Sequence, residues 1–468
     1  MIRRFALASP ALALVCAALW GLTVLANWPG HYSVDSVVQL VEGMTGYYVS
    51  YNPPLMGQLL AFVSRVGGHG AFMGLIAGLY FAALYLMVAG AGRAGASRKV
   101  LIAVLLVAAA LNPVSFVYNG TVWKDVFCAN LLLLALALAD RSRKWASVET
   151  LLAVLLCSMA ALVRQQGAIG ALAVCLLAAY RQQVVWAGLR AFALSALRML
   201  ALTVACVALL QSVVRVGQVE VEQSPVPKGL VVAARFDIAG ILRFTSKDPT
   251  PVLRNYKLDP EQLVGLARHS YSPERVDTLA SVPDALARVG DPGILRLWQD
   301  LATFDPAALC RHKLAAASRL LGSRSDGACL PAHVGVAAEA LTIVAGLGVP
   351  YRFGDDFLPE PSRHAGSLWR YVQQSLPAFN GYLWAAGLLL VLVAGLWRRN
   401  ALAIALALAA SAHVASFLVI GVACDFRYIY FAVASVWAGV LALLACGVGL
   451  PPSRPERQHS TGAGIETH

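Results

Sequence analysis

Six ionisable side chains stand at the edges of long apolar stretches of this chain: Asp35, Lys124, Asp125, Arg164, Asp425 and Arg427. Charge beside hydrocarbon is costly and tends to mark function. A carboxylate in such a set can take the proton of a hydroxyl, and the cations can hold an anionic head group, Arg in bidentate fashion. Asp35 is the only acid in its stretch before Glu42, which suits a general base; the plainer alternative is a cap on a helix beginning near Ser36. Lys124 and Asp125, like Arg427 and Asp425, are also neighbours that can simply neutralise one another. Arg164 can equally snorkel to a membrane interface. His31, His69 and His413 are isolated and receive no role. The nine cysteines lie far apart without a CxxC or Cys/His cluster, which argues against zinc, iron–sulfur and a small disulfide scaffold. P-loop, HExxH and GxSxG motifs do not occur, so a nucleotide-powered pump or a soluble-type hydrolase has no motif to stand on.

The elements that must position these residues follow from composition. Of 468 residues, 59% are hydrophobic and 13% charged, about half the ~25% charge of soluble globules. A membrane crossing needs about 20 apolar residues at 1.5 Å rise. Ten stretches qualify as spans: 5–27, 70–92, 100–118, 122–139, 146–163, 167–180, 195–214, 379–397, 401–422 and 428–449. The sixth reaches only about 21 Å as a helix, so the fifth and sixth are candidates for a shallow hairpin. The first, preceded by Arg3 and Arg4, reads as a retained signal anchor. With the N-terminus inside, the cytoplasmic segments hold fifteen Lys and Arg and the short outer segments four, the asymmetry of a chain with both termini in the cytoplasm. That distribution also accounts for much of the +12 net charge without nucleic acid as a partner.

The fold class expected is therefore an all-α polytopic membrane protein of about ten spans, residues 1–214 and 378–450, with a first outer loop at 28–69. Residues 215–377 hold 18 Lys and Arg and 17 of the 25 Asp and Glu, and read as a mainly α extracytoplasmic domain between spans seven and eight. Its apolar stretch 334–349 is expected as a buried helix of that domain. Cys310 and Cys329 are its only two cysteines and form a candidate disulfide in an oxidising compartment. Residues 451–468 read as a disordered cytoplasmic tail. Leu55–Val66 has the spacing of an amphipathic interface helix, suited to lining a lipid-tail groove or to serving as a connector on the membrane.

Three segments carry a resemblance. The first loop reads WPGHYSVDSVVQLVEGMTGYYVSYNPPLMGQLL, with Asp35 upstream of Pro53-Pro54-Leu55; residues 112–136 read NPVSFVYNGTVWKDVFCANLLLLAL; residues 425–439 read DFRYIYFAVASVWAG. Over roughly the first 170 and the last 45 residues the chain resembles the C-type superfamily of polyprenyl-phosphate-dependent integral-membrane glycosyltransferases, which includes protein O-mannosyltransferases and lipid A aminoarabinose transferases. In that likeness Asp35 matches the essential acid, and Tyr51, Asn52, Pro53, Pro54 and Leu55 match part of the donor site. Lys124 and Asp125 match a W-K-D element, and Asp425, Arg427 and Tyr428 a late D-x-R-Y element.

The pattern departs from the family in two places. Val34-Asp35-Ser36 holds one acid where many relatives have two, so a divalent metal held by paired acids is not implied and no cofactor is assigned. Asn52 stands where relatives have Lys before Pro-Pro-Leu, and Lys124 is the candidate replacement cation. The expectation is a transferase in the cell inner (plasma) membrane. It moves a sugar from a polyprenyl phosphate to a hydroxyl of a glycan, lipid or protein, inverting, with Lys124, Arg164 and Arg427 on the phosphate. A transporter or lipid flippase, and a polysaccharide polymerase or ligase, are the alternatives; against transport, the two halves show no matching broken helices.

Overall fold

The computed structural model describes residues 9–48, 52–93, 95–182, 189–218, 220–221, 226–279, 281–322, 329–346 and 357–445. The chain is all-α; among the described residues the only paired strands are Tyr47–Tyr48 and Glu220–Val221, in parallel. Helices occupy all ten apolar stretches. Five are long and apolar enough to cross a membrane: Pro10–Asn27, His69–Ala91, Leu189–Val216, Ala401–Ile420 and Phe426–Ala445, with Val148–Val163, Gly167–Gln182 and Gly381–Trp397 shorter apolar helices. The stretch 100–118 is two helices, Ala96–Leu111 and Pro113–Tyr118. Pro113 has no N–H to continue the first, and Asn112 caps the second by accepting from the Val114 and Ser115 amides.

Helix Lys124–Ala139 is the centre of the bundle. Beyond its first turn it is apolar except for Asn130, whose side chain bonds Ile76, Asn119 and Tyr430, and it is buried along nearly its whole length, as a helix with so little polar face must be. Helices Val148–Val163, His69–Val88, Gly167–Gln182 and Tyr430–Ala445 pack around it. Leu189–Val216 lies at the edge, burying only Met199, Thr203 and Val214. Pro54–Gly67 is amphipathic as expected, burying Leu55, Met56, Leu60 and Ala61. It packs closely on helix Val34–Thr45, because a Cβ at Gly43 would overlap the Gly57 carbonyl.

The segment 215–377 divides in two. Residues 226–308 gather their own apolar core, including Phe236, Leu242, Leu263, Leu297 and Leu301. Leu320, Ala332, Ala340, Leu368 and Val372 instead belong to the core of the bundle. The helix expected within 334–349 is Ala340–Gly346, and its Val344 packs on Val38 and Val41 of helix Val34–Thr45. It is too short to bury its apolar side alone and is covered by the first loop, not by the core of 226–308.

The cysteine pairing also differs from expectation. Cys329 is bonded to Cys424, with Cα atoms 5.3 Å apart, while Cys310 is an exposed free thiol. The reason is a local seam in which the Phe426 amide donates to the Leu330 carbonyl at 3.2 Å and the Cys424 amide to the Glu274 carbonyl at 2.8 Å. The tail 451–468 lies outside the described residues.

Candidate functional site

Four separate segments bring the charged side chains together at one end of the bundle. Asp35 is in the first turn of helix Val34–Thr45, whose N-cap position is Ser33. The positive end of that helix favours a carboxylate there, yet Asp35 does not cap it. Its Oδ2 instead accepts from Arg427 Nη1 at 2.5 Å. The Asp35 side chain keeps 38% of its surface exposed, so the cluster reaches solvent through it. Partial burial pushes its pKa up, but Arg427, Lys124 and Arg164 outweigh that and hold it well below the usual carboxylate range.

Lys124 opens the central helix, one residue after Trp123, whose indole N–H donates to Ser33 Oγ at 2.7 Å. Two backbone bonds tie these loops together: the His31 amide donates to the Gly120 carbonyl and the Val122 amide to the His31 carbonyl. Lys124 Nζ donates to Asn52 Oδ1 at 2.6 Å, and Gln39 Nε2 donates to the same oxygen at 3.1 Å. Among the described residues, no carboxylate lies within ion-pair distance of Lys124. Asn52 is a neutral acceptor, so the ammonium is held by hydrogen bonding and feels Asp35 and Asp125 only at longer range.

Asp125 is 2% exposed and stands between two guanidinium groups, Arg164 Nη1 on one oxygen and Arg427 Nε at 3.9 Å from the other. Arg427 Nη2 lies 3.5 Å from Asp425 Oδ2, whose other oxygen is 4.0 Å from Arg275 Nη2. Phe417 and Tyr428 stack with centroids 4.5 Å apart. Arg164 lies 4.7 Å from the Phe417 centroid, and Arg427 lies 5.3 Å from those of Trp123 and Tyr428. Flat cations against aromatic faces are held in place without losing their donors. The Asp125 oxygen not held by Arg164, one oxygen of Asp425, and Nε of Arg164, Arg427 and Arg275 are buried without a hydrogen-bond partner. In a folded interior such groups are costly, and a cluster of them is what a polar ligand would complete.

Every described residue singled out for this site from the sequence is thus in or beside it: Asp35, Asn52, Lys124, Asp125, Arg164, Asp425, Arg427 and Tyr428. Tyr51 lies outside the described residues. Sequence reasoning missed Trp123, Phe417, Gln39 and Arg275. Trp123 was legible as the first member of W-K-D; the others carry no local signal, Arg275 least, since it arrives from the 226–308 unit. His31 is structural. Its Nδ1 accepts from the Gly335 amide at 3.2 Å and its Nε2 meets Asn27 Oδ1 at 3.0 Å, and burial, then His333, pushes its pKa down to about 3. Among the described residues no group of three or more His, Cys, Asp or Glu is placed to hold a metal ion; guanidinium groups separate the three aspartates. The chain has no match among protein-family models, curated proteins or solved structures.

Proposed function

We propose that the chain is an integral-membrane glycosyltransferase that takes a sugar from a polyprenyl-phosphate donor at the extracytoplasmic face and passes it to a hydroxyl acceptor. The reading includes about ten spans, both termini in the cytoplasm of an inner (plasma) membrane protein, and the segment between spans seven and eight outside. The fifteen-to-four division of Lys and Arg supports that orientation. The observation that carries the activity is the meeting of one partly exposed carboxylate, Asp35, with Lys124, Arg164 and Arg427.

The chemistry balances with those groups alone. The acceptor oxygen bonds to the anomeric carbon as the bond from that carbon to the phosphate oxygen breaks. The phosphate leaves with the electron pair, and Asp35 takes the hydroxyl proton; a single displacement inverts the centre. A phosphate is a weak base, so its departure needs cations more than an acid. The Arg427–Asp35 pair gives the sequence of events a logic. While it is closed, Asp35 is a poor base; a donor phosphate that draws Arg427 away restores its basicity.

Mass spectrometry of lipid and glycan extracts tests this in cells with the wild-type protein, without it, and with Asp35→Asn at equal level. The expected result is one sugar lost from a glycoconjugate in both deficient strains, with its polyprenyl-phosphate precursor accumulating. Wild-type transfer by Asp35→Asn overturns the mechanism, and movement of an unaltered substrate across sealed vesicles would make the chain a transporter.

A further inference from the structure

At the end of the bundle away from the aspartates, a groove of about 520 Å³ opens between helix Gly167–Gln182 and the start of helix Ala401–Ile420. Its position follows from the helices themselves. Ile404 lines the groove and Phe417 packs on Arg164, and thirteen residues of one helix separate them, about 20 Å. The walls are Leu176, Leu177, Leu396, Ile404 and Leu408. The volume lies in the range of small-molecule sites, about 300–1,000 Å³.

The mouth is where the groove stops being a plain apolar surface. Arg399 and Tyr180 line it. Arg399 sits in the three-residue turn between helices Gly381–Trp397 and Ala401–Ile420, with φ +50°. That left-handed position usually falls to glycine, and a side chain there carries strain. Asn400 keeps the turn tight, its amide donating to the Gly395 carbonyl at 2.8 Å and its Oδ1 accepting from Ala403. Arg399 has no carboxylate partner among the described residues, and it is exposed. Arg398 beside it lies over the ring of Trp397, 5.8 Å from its centroid, and Trp397 is itself exposed. Trp and Tyr at the ends of spans mark the depth of lipid head groups. An apolar trough with a tyrosine, Tyr180, and an unpaired guanidinium at its mouth has the chemistry of one acyl chain ending in a phosphate.

We propose that this groove binds an anionic phospholipid, with an acyl chain along Leu176, Ile404 and Leu408 and the head-group phosphate on Arg399. The inference needs the bundle to lie in a membrane and is independent of any transfer reaction at the other end. A leaflet rich in acidic lipid supplies the ligand, and basic residues at such a surface favour it.

Native mass spectrometry of the full chain, released from nanodiscs of equal phosphatidylglycerol and phosphatidylcholine, provides the test. Wild-type protein should retain phosphatidylglycerol in preference to phosphatidylcholine. Arg399→Gln should lower that preference about tenfold, the factor for one hydrogen bond to a charged group, while Arg190→Gln, an exposed basic residue outside the groove, should change it less. Ala405→Trp, which fills the trough, should lose both lipids, and circular dichroism with size-exclusion chromatography verifies the fold of each variant. Equal retention of the two lipids by wild type, an unchanged preference in Arg399→Gln, or an equal loss in Arg190→Gln overturns the proposal. So does a dimer that covers the trough, detected by cross-linking through Leu408→Cys.

Discussion

Two charge clusters in this molecule are built from the same residue types and treat their polar atoms in opposite ways. Asp237 Oδ1 of the 226–308 unit accepts from Lys313 Nζ of helix Pro306–Leu321 at 2.6 Å and meets His312 Nε2 of the same helix at 3.0 Å, while its Oδ2 accepts from Trp298 Nε1 at 3.1 Å. With Nε2–H directed at Asp237, His312 Nδ1 accepts from the Tyr271 hydroxyl at 2.8 Å. Every side-chain polar atom of Asp237, His312, Tyr271 and Trp298 in that chain is satisfied. Around Asp125, five oxygen and nitrogen atoms besides the ion-paired Asp125 Oδ1 are buried without a hydrogen bond. A closed network rigidifies a core. An open one costs stability unless a charged ligand completes it.

That contrast predicts which cluster fails in which way. The largest effect belongs to Asp35→Asn, which should cut transfer by about 10²–10⁴, the usual contribution of a general base, with only a modest loss of thermal stability because its pair with Arg427 is partly exposed. Asp237→Ala should do the reverse. Removing one partner of a buried charged group costs about 3–5 kcal/mol, so thermal unfolding should shift strongly while transfer per folded molecule persists at permissive temperature. If Asp237→Ala loses transfer without loss of stability, the two clusters are not different in kind.

Lys124→Met is expected to be intermediate. A hydrogen bond to a charged group is worth about 1.5–3 kcal/mol, so KM for the lipid-phosphate donor should rise about tenfold to a hundredfold. Because Lys124 holds no carboxylate in place, kcat and stability should change little. An effect confined to kcat would mean that the ammonium acts on the reaction and not on donor binding.

The smallest effect is on pH dependence. Asp35 has a folded pKa held below its ordinary value, so the stability it contributes is complete above the ordinary carboxylate value, ~4. It is lost only as pH falls through the lowered folded value. Infrared difference spectra of wild type against Asp35→Asn should therefore show an ionised carboxylate from about pH 8 down to about pH 3, below the ordinary value. Protonation at about pH 4 or above would mean that the Arg427 pair is not formed in solution.

The comparison between sequence and structure turns on these same residues. Apolar runs located the helices, because a helix is closed within itself. The six ionisable residues stood out at the helix ends because charge near hydrocarbon is rare. The pairing among them was not legible. Arg427 and Asp35 are 392 residues apart, and the sequence offered Asp425 as the nearer partner; Cys310 was likewise the nearer partner for Cys329. Composition joined 215–377 into one unit because charge is a bulk property, whereas the division of its apolar residues between two cores depends on what each helix lies against.

What the sequence determined by itself is therefore the helical, membrane-compatible character of the chain, the helix positions and the set of charged residues at their ends. Only the tertiary structure decided that Arg427 holds Asp35, that Asp125 stands between two arginines, that Lys124 meets a neutral Asn52, and that Cys424 bonds Cys329. The physical reason is range. Hydrophobicity and helix capping act over a few residues along the chain, while an ion pair or a disulfide is set by which loops come within a few ångströms, and that follows from packing the whole bundle.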